Sequence, residues 1–311
     1  MAVTTSTYRF QDTQLDLPVQ PDIDELAAKY FGEKVAPVKV EFGGLSHPGL
    51  VRANNEDHYS VVRRYRARDI LLTNMPQDVC RESGDEAYAM AVADGIGGAA
   101  FGEVASMLAL RTGWELTGKA FKWNFNPSAA ELAEMEESVK VFLKLIHRRI
   151  KQEANMTGGG DGMGTTFTGA LTMGHDAFIA HVGDSRAYLY RNGTLNRLTR
   201  DQTLAELMVS VGLIASVDEA AKRFRNTLVS CLGGSLNEIE VETVHVVLQD
   251  GDQLLLCTDG LTDMVKEEAI SSILGHTGTP QTLCQELVDA ALAGGGRDNV
   301  TVVLGRYAVP A

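Results

Sequence analysis

Apolar residues recur along this chain in two rhythms, and the switches between them mark out the elements. VKVEFGGLS at 38–46 and DHYSVVRR at 57–64 alternate or run apolar with β-branched residues, which predicts β-strands. A long polar connection follows, with a short strand expected at 70–72, and it leads into the apolar strand AYAMAVAD at 87–94. TTFTGALTMG, HDAFIAHVGD and SRAYLYR between 165 and 191 are three dense strand candidates. Asn192-Gly193 joins the last of them to TLNRLT through the strongest two-residue hairpin signal. VETVHVVL, DQLLLCTD and, after a helix, NVTVVLGRYAV complete the strands.

The second rhythm is helical. FGEVASMLALRTGWELTG, from Phe101, is small and apolar, as suits a helix packed on a sheet. The capping box Ser128-Ala-Ala-Glu131 opens a helix with Leu132, Met135, Val139, Phe142, Leu143, Ile146 and Ile150 on one face. Capping boxes at Thr203–Glu206 and Ser216–Glu219 start two short helices, with Gly212 stopping the first, so 201–232 is a helical insert in a β-rich run. Thr279-Pro280 caps a last helix carrying Leu283, Leu287, Val288, Ala291 and Leu292. Residues 1–38, polar and with Pro18, Pro21 and a brief helical pattern in DIDELAAKYFG, read as an N-terminal arm ahead of one domain at 39–309. Many antiparallel-type strands with helices segregated in pairs indicate an α+β layered sandwich rather than a βαβ repeat.

Composition narrows the functions. The 311 residues are 44% hydrophobic and 22% charged, as in ordinary globular proteins. Lys and Arg number 28 against 41 Asp and Glu, a formal charge of −13, which argues against nucleic-acid partners because phosphate-backbone binding depends on basic side chains. No stretch of about 18 apolar residues is present and no basic-then-apolar leader opens the chain, so no membrane span and a cytoplasmic location are expected. Cys80, Cys231, Cys257 and Cys284 form no C-x-x-C pair, which indicates reduced thiols rather than a disulfide scaffold or zinc ribbon. The acid excess is concentrated in 232–311, with twelve acids against three bases, whereas 63–81 holds five arginines against two aspartates. That basic stretch reads first as a solvated connection and second as an attractor of acidic phosphosegments.

Four aspartates share one setting, beside a glycine or at a strand end: Asp94 in VADGIGG, Asp161 in GGDGMGTT, Asp259 in LLLCTDG and Asp298 in GGGRDNVTVV. Glu56-Asp57 precedes a strand in RANNEDH. Each Asp-Gly taken alone is a turn signal. Several carboxylates meeting at strand mouths, however, repel unless a cation sits among them, and hard oxygen donors without Cys or His select Mg²⁺ or Mn²⁺ over zinc. Other chemistries fail on residues: Gly159 to Thr166 lacks the P-loop lysine, and neither G-x-S-x-G nor H-E-x-x-H occurs. His181 and His245 fall inside strand patterns and read as packed or surface residues.

In order, RANNEDH, AVADGIGGAAFGEVAS, DGMGTT, HVGDSRAYLYRNG, LLLCTDGLTD and GGGRDNVTVV resemble the motif series of the metal-dependent protein phosphatases, the type 2C serine/threonine phosphatases, in their bacterial form. The resemblance covers about 43 to 307. It implies a four-layer αββα sandwich with two central, mostly antiparallel sheets and a mobile flap at 201–232. It also implies two central Mn²⁺ or Mg²⁺ ions bridged by Asp94, with the Gly95 carbonyl on the second and Asp259 and Asp298 completing the first. Glu56 would hold metal-bound waters with support from Asp57, Arg52 would bind phosphate, and Asp161 with Asp259 would hold a third, weaker ion. Asn299 would orient the loop around Asp298, and Asp184 and Ser185 would be structural. The implied reaction is in-line attack of a metal-bridging water or hydroxide on phosphoserine and phosphothreonine, with no covalent enzyme intermediate. The implied partners are phosphoproteins and a Ser/Thr kinase pathway, and a monomer is expected. The chain departs from many relatives at Ile96, where eukaryotic members carry histidine, and at Asp201-Gln202-Thr203, where Asp-His-Ser is common; His58 is an alternative proton donor. The competing reading is a weak or inactive phosphatase-fold module that binds a regulatory partner, and the arm is a candidate tether or inhibitor.

Overall fold

The computed structural model describes residues 38–66, 72, 85–97, 101–120 and 129–310. The expected arm and its helical pattern, most of the arginine-rich stretch, the Ser128 cap and all but Leu72 of the strand expected at 70–72 lie outside the described residues, and Leu72 is an exposed bend rather than strand. The chain divides into two units, Met1–Val35 and Ala36–Ala311, and the second carries everything that follows.

Its elements run β1 (Lys39–His47), β2 (His58–Arg66), β3 (Asp85–Ala93), β4 (Gly95–Ile96), α1 (Phe101–Ala120), α2 (Ala129–Thr157), β5 (Gly164–Thr165), β6 (Phe167–Met173), β7 (Asp176–Val182), β8 (Arg186–Arg191) and β9 (Thr194–Arg197). There follow α3 (Leu204–Ser210), α4 (Lys222–Arg225), β10 (Leu232–Gly233), β11 (Glu242–Val247), β12 (Gln253–Cys257), α5 (Asp259–Thr262), α6 (Glu267–Leu274), α7 (Pro280–Ala293) and β13 (Val300–Ala308). One sheet has the order β1-β13-β12-β8-β9 and the other β11-β7-β6-β3-β2, with antiparallel pairing throughout.

Strand periodicity sorts the core into three slabs. Leu254, Leu256, Val303 and Tyr307 of the first sheet meet Met90, Val92 and Ile179 of the second between the sheets. Leu255, Cys257, Val302 and Leu304 point the other way, under α6 and α7. That is why β12 reads QLLLC without a polar break: both faces are buried, and each leucine contributes about 1.5–3 kcal/mol relative to exposure. On the far side, Ala105 and Ala109 of α1 and Leu143, Ile146 and Ile150 of α2 pack against Ala180 and Val182. The result is the expected α+β, four-layer sandwich.

Local signals are mostly borne out. Thr203 Oγ1 accepts from the Glu206 N–H (3.4 Å) and Thr279 Oγ1 from the Thr282 N–H (3.2 Å), each satisfying one orphan donor of a helix start. Asn192 and Gly193 hold φ of 51° and 80°, as the hairpin turn between β8 and β9 requires. The helix start expected at Ser216 is a correction, since the insert's second helix, α4, begins later at Lys222. Ser216 caps nothing, and only a single 3₁₀ turn forms at Val217–Glu219, where Glu219 Oε2 accepts from the Ala215 N–H (3.1 Å). With only Ala220 buried at its end, the segment has too little apolar surface to repay the nucleation of a longer helix. Helix α6 and the two-residue strands β4, β5 and β10 were not anticipated. Among the described residues no helix is long and apolar enough to cross a membrane.

Candidate functional site

Register brings the acidic motifs to one end of the sandwich. Cys257 pairs with Val302, so the end of β12 and the start of β13 adjoin, which places Asp259 near Asp298. His47 pairs with Val300 and His58 with Ala93, so the 48–57 loop emerges at the same end as Asp94. There β4, β5 and β10 form a small third sheet, with Gly95 opposite Thr165 and Thr165 opposite Leu232.

The backbone at Asp94 is fixed on both sides. Its N–H donates to Thr166 Oγ1 (3.0 Å), and its carbonyl accepts from the Thr166 N–H (2.9 Å) and Thr165 Oγ1 (2.8 Å). Ser185 Oγ lies 2.6 Å from Thr166 Oγ1, which gives the expected structural serine its role. Gly95 is sterically required: a Cβ there would sit 2.3 Å from the Gly102 carbonyl oxygen and 2.7 Å from that of Glu56. The first turn of α1 thus rests directly on the site.

These elements enclose a cleft of about 660 Å³. Arg52, Glu56, Asp94, Gly95, Asp259 and Asp298 line it together, and Asp161, on an exposed 3₁₀ turn at Gly160–Gly162, lines it from another side. Asn299 lines it too and joins two loops. Its Nδ2 donates to the carbonyls of Pro48 (3.0 Å) and Asn54 (2.8 Å), its Oδ1 accepts from the Glu56 N–H (2.8 Å), and its own N–H donates to Asp298 Oδ1 (2.9 Å). Asp57 is buried: Oδ2 accepts from Thr258 Oγ1 (2.8 Å), while Oδ1 has no partner.

The electrostatics are those of crowded carboxylates. Burial pushes Asp94 well above the usual range, and the charges of Asp57 and Asp259 add to it. Burial likewise raises Asp259 to about 6 and Asp57 to about 7, with neighbouring aspartates adding to both, and it raises Glu56. Arg52 is the one cationic side chain among the described lining residues, and its Nη2 lies 2.7 Å from Asp298 Oδ2. An all-oxygen, mutually repelling donor set with an orphaned buried carboxylate oxygen fits a hard divalent cation. As placed, no three Asp, Glu, His or Cys side chains among the described residues enclose an ion.

Asp184 was expected to be structural, yet it lines the cleft. Its carboxyl is driven well above the usual range by burial first and then by Asp259. The signal was available, since Asp184 follows Gly183 (φ 111°) at a strand end, the setting shared by the other four aspartates. His58 turns away: Nδ1 lies 2.9 Å from Ser106 Oγ and the residue does not line the cleft. The 201–232 insert is anchored at its start. Asp201 accepts a fork from Arg186 (3.0 and 2.7 Å) and also pairs with Arg197. Gln202 exchanges backbone and side-chain bonds with Gly183 (2.7 and 2.9 Å), and farther on Asn226, Leu228 and Cys231 form part of the cleft wall.

The protein phosphatase 2C family model matches residues 74–293. The serine/threonine protein phosphatase PstP of Mycobacterium tuberculosis (strain CDC 1551 / Oshkosh) is 32% identical over 265 residues, 85% of this chain but 44% of that protein, so this chain spans less than half of that relative. The serine/threonine phosphatase stp of Listeria welshimeri is 35% identical over 223 residues, 72% of this chain and 86% of that protein. A solved catalytic domain of PstP in complex with two manganese ions superposes with a TM-score of 0.65 at 30% identity, covering 88% of this chain and 100% of that one. With fold, motif order and relatives in agreement over most of its length, this chain belongs to the protein phosphatase 2C family.

Proposed function

We propose that the cleft hydrolyses phosphoserine and phosphothreonine monoesters in proteins with the help of divalent cations, without a covalent enzyme intermediate. The observation that carries this reading is the convergence of Asp94, Asp259 and Asp298 with Arg52 in one cleft. Similarity to proteins named serine/threonine phosphatases supports the substrate class, and the two manganese ions of the PstP catalytic domain support the cofactor.

Asp94, the Gly95 carbonyl, Asp259 and Asp298 would hold two Mn²⁺ or Mg²⁺ ions, Glu56 would act through water, and Asp161 with Asp259 would hold a third. When bound, such ions lower the pKa of a water molecule and offset charge on the phosphoryl oxygens. Arg52 binds the phosphoryl group as a two-pronged donor after leaving Asp298, a switch that costs little because an exposed pair of this kind is worth at most about 1 kcal/mol. Asn299 keeps the Arg52 loop and the Asp298 loop in register, and Thr166 fixes the Asp94 backbone. Cys231 is a poor candidate nucleophile, because burial raises its thiol pKa. The reaction belongs to 39–309, acting as a cytoplasmic monomer that opposes a Ser/Thr kinase.

The test is Mn²⁺-dependent phosphate release from a phosphothreonine peptide and from p-nitrophenyl phosphate, comparing wild type with Asp94→Asn. The expected result is metal-dependent turnover that Asp94→Asn abolishes. Equal, negligible rates with and without Mn²⁺ or Mg²⁺ would instead leave a binding module on the same fold.

A further inference from the structure

The layer between α1, α2 and the second sheet is closed near the acidic cleft, where Ala105, Ala109, Ile150 and Val182 are fully buried. Farther along it is not filled. A gap of about 130 Å³ remains, walled by Ala89, Ala91 and Gly169 on the sheet and by Val139, Leu143 and Ile146 on α2. The sequence explains the gap. Between Phe167, Leu171 and Phe178 the sheet presents the small Ala89, Ala91 and Gly169, and α1 supplies Gly113, where among the described residues an added Cβ would meet nothing nearer than Ile146 Cδ1 at 3.9 Å. The unmade dispersion contacts leave the lining under-packed.

Polar groups are few and include Ser60, whose Oγ accepts from Trp114 Nε1 at 3.3 Å, so its own hydroxyl hydrogen can be offered to a ligand. The gap opens to solvent beside the half-exposed Trp114, so a small molecule can reach it, and an enclosed apolar cavity of about 150 Å³ engineered into another protein takes up benzene. We propose that this gap is a binding site for a small nonpolar ring compound, between benzene and indole in size, carrying at most one acceptor atom directed at Ser60. The site lies apart from the acidic cleft and does not depend on the reaction assigned to it.

The experiment titrates the full chain with benzene and with indole, following side-chain methyl resonances and thermal melting. Saturable shifts are expected at Met135, Leu143 and Ile146 and not at Leu255 or Leu287 on the other side of the molecule, with a melting temperature raised by a few degrees at about tenfold excess over Kd. Gly113→Leu fills the gap from a helical position with room for it, so it should melt higher than wild type without ligand and bind at least tenfold more weakly. Absent or non-saturable shifts in wild type, shifts spread evenly over the molecule, or equal binding by Gly113→Leu would overturn the proposal. Should that variant fail to fold, the wild-type methyl map decides alone.

Discussion

Arg52 and Asp298 form an ion pair across the mouth of the cleft, Nη2 to Oδ2 at 2.7 Å, although the two residues are expected to serve phosphate and metal respectively. The pair puts a positive and a negative charge side by side in the lining that Asp94 and Asp259 also form. Because the two side chains are 58% and 40% exposed, their mutual attraction is weak and screened by salt. Arg52→Ala should therefore leave the melting temperature within about 1–2 °C of wild type while lowering kcat/KM on phosphopeptides about 100-fold, the scale of two lost charge-assisted bonds. Arg52→Lys should recover only part of that loss, since a point charge does not reproduce the fork. A large loss of stability in Arg52→Ala would mean that the pair is structural.

Asp184 makes a separate prediction. Its buried carboxyl adds to the repulsion around Asp259 and Asp94. Replacing it with Asn keeps the shape and removes a charge. Without divalent cations, in EDTA, Asp184→Asn should melt higher than wild type. With Mn²⁺ present, the stabilisation that wild type gains should shrink, because a cation is worth less where less negative charge awaits it. Melting curves across a Mn²⁺ titration check both halves, and a variant melting lower than wild type in EDTA would sink the argument.

The sequence made the sandwich legible because its signals are repetitive and local. Alternating or continuous apolar runs marked β1, β6 and β13, the Asn192-Gly193 turn marked the β8–β9 hairpin, and Thr203 and Thr279 marked true helix starts. What stayed hidden depends on contacts distant in sequence. Strands β4, β5 and β10 are two residues each and exist only because three separated segments meet, so periodicity has nothing to measure. Helix α6 opens with Lys266-Glu267-Glu268 and lacks a capping hydroxyl, although its Ile270 and Leu274 are fully or almost fully buried. The site was legible as a set of motifs, but two facts needed the fold: that Asp184 turns into the cleft, and that Arg52 rests on one of the acids.

His181 predicts a pH dependence. Its Nε2 lies 3.1 Å from the Arg200 carbonyl, which can only accept, so that nitrogen carries the proton, while Nδ1 lies 2.8 Å from Thr168 Oγ1, whose single hydrogen it shares with the Ser185 carbonyl at 3.1 Å. Burial lowers the ring's pKa to about 4, against about 6.5 in the unfolded chain. Between those values the unfolded state takes up a proton that the folded state refuses, so this residue's contribution falls as pH drops from about 6.5 to 4, by up to about 3 kcal/mol. The buried aspartates raised to about 6 and 7 act with the opposite sign in cation-free protein, binding protons in the folded state first. The clean measurement is therefore a difference: denaturant unfolding of wild type and His181→Gln from pH 7 to 4. The variant should lose less stability than wild type on acidification, and parallel curves would show that His181 does not titrate in this window.

Asn299 tests whether cleft geometry is held by polar cross-links or by packing. One side chain bonds the carbonyls of Pro48 and Asn54 and the N–H of Glu56, tying the loop that bears Arg52 and Glu56 to the one that bears Asp298. Removing it in Asn299→Ala leaves one backbone donor and two acceptors without their partner, at about 1–3 kcal/mol for each group that water cannot reach. Asn299→Asp should do more damage, because it keeps the acceptor for Glu56 but loses both donors and adds a carboxylate beside Asp298. Both variants should bind Mn²⁺ more weakly and melt lower than wild type, with Asn299→Asp the worse in cation-free buffer. The added carboxylate is repelled most there, and a bound divalent ion offsets part of that repulsion, so the gap between the two variants should narrow as Mn²⁺ is added. A gap that stays constant across the titration would assign Asn299 to loop packing alone, independent of the charge in the cleft.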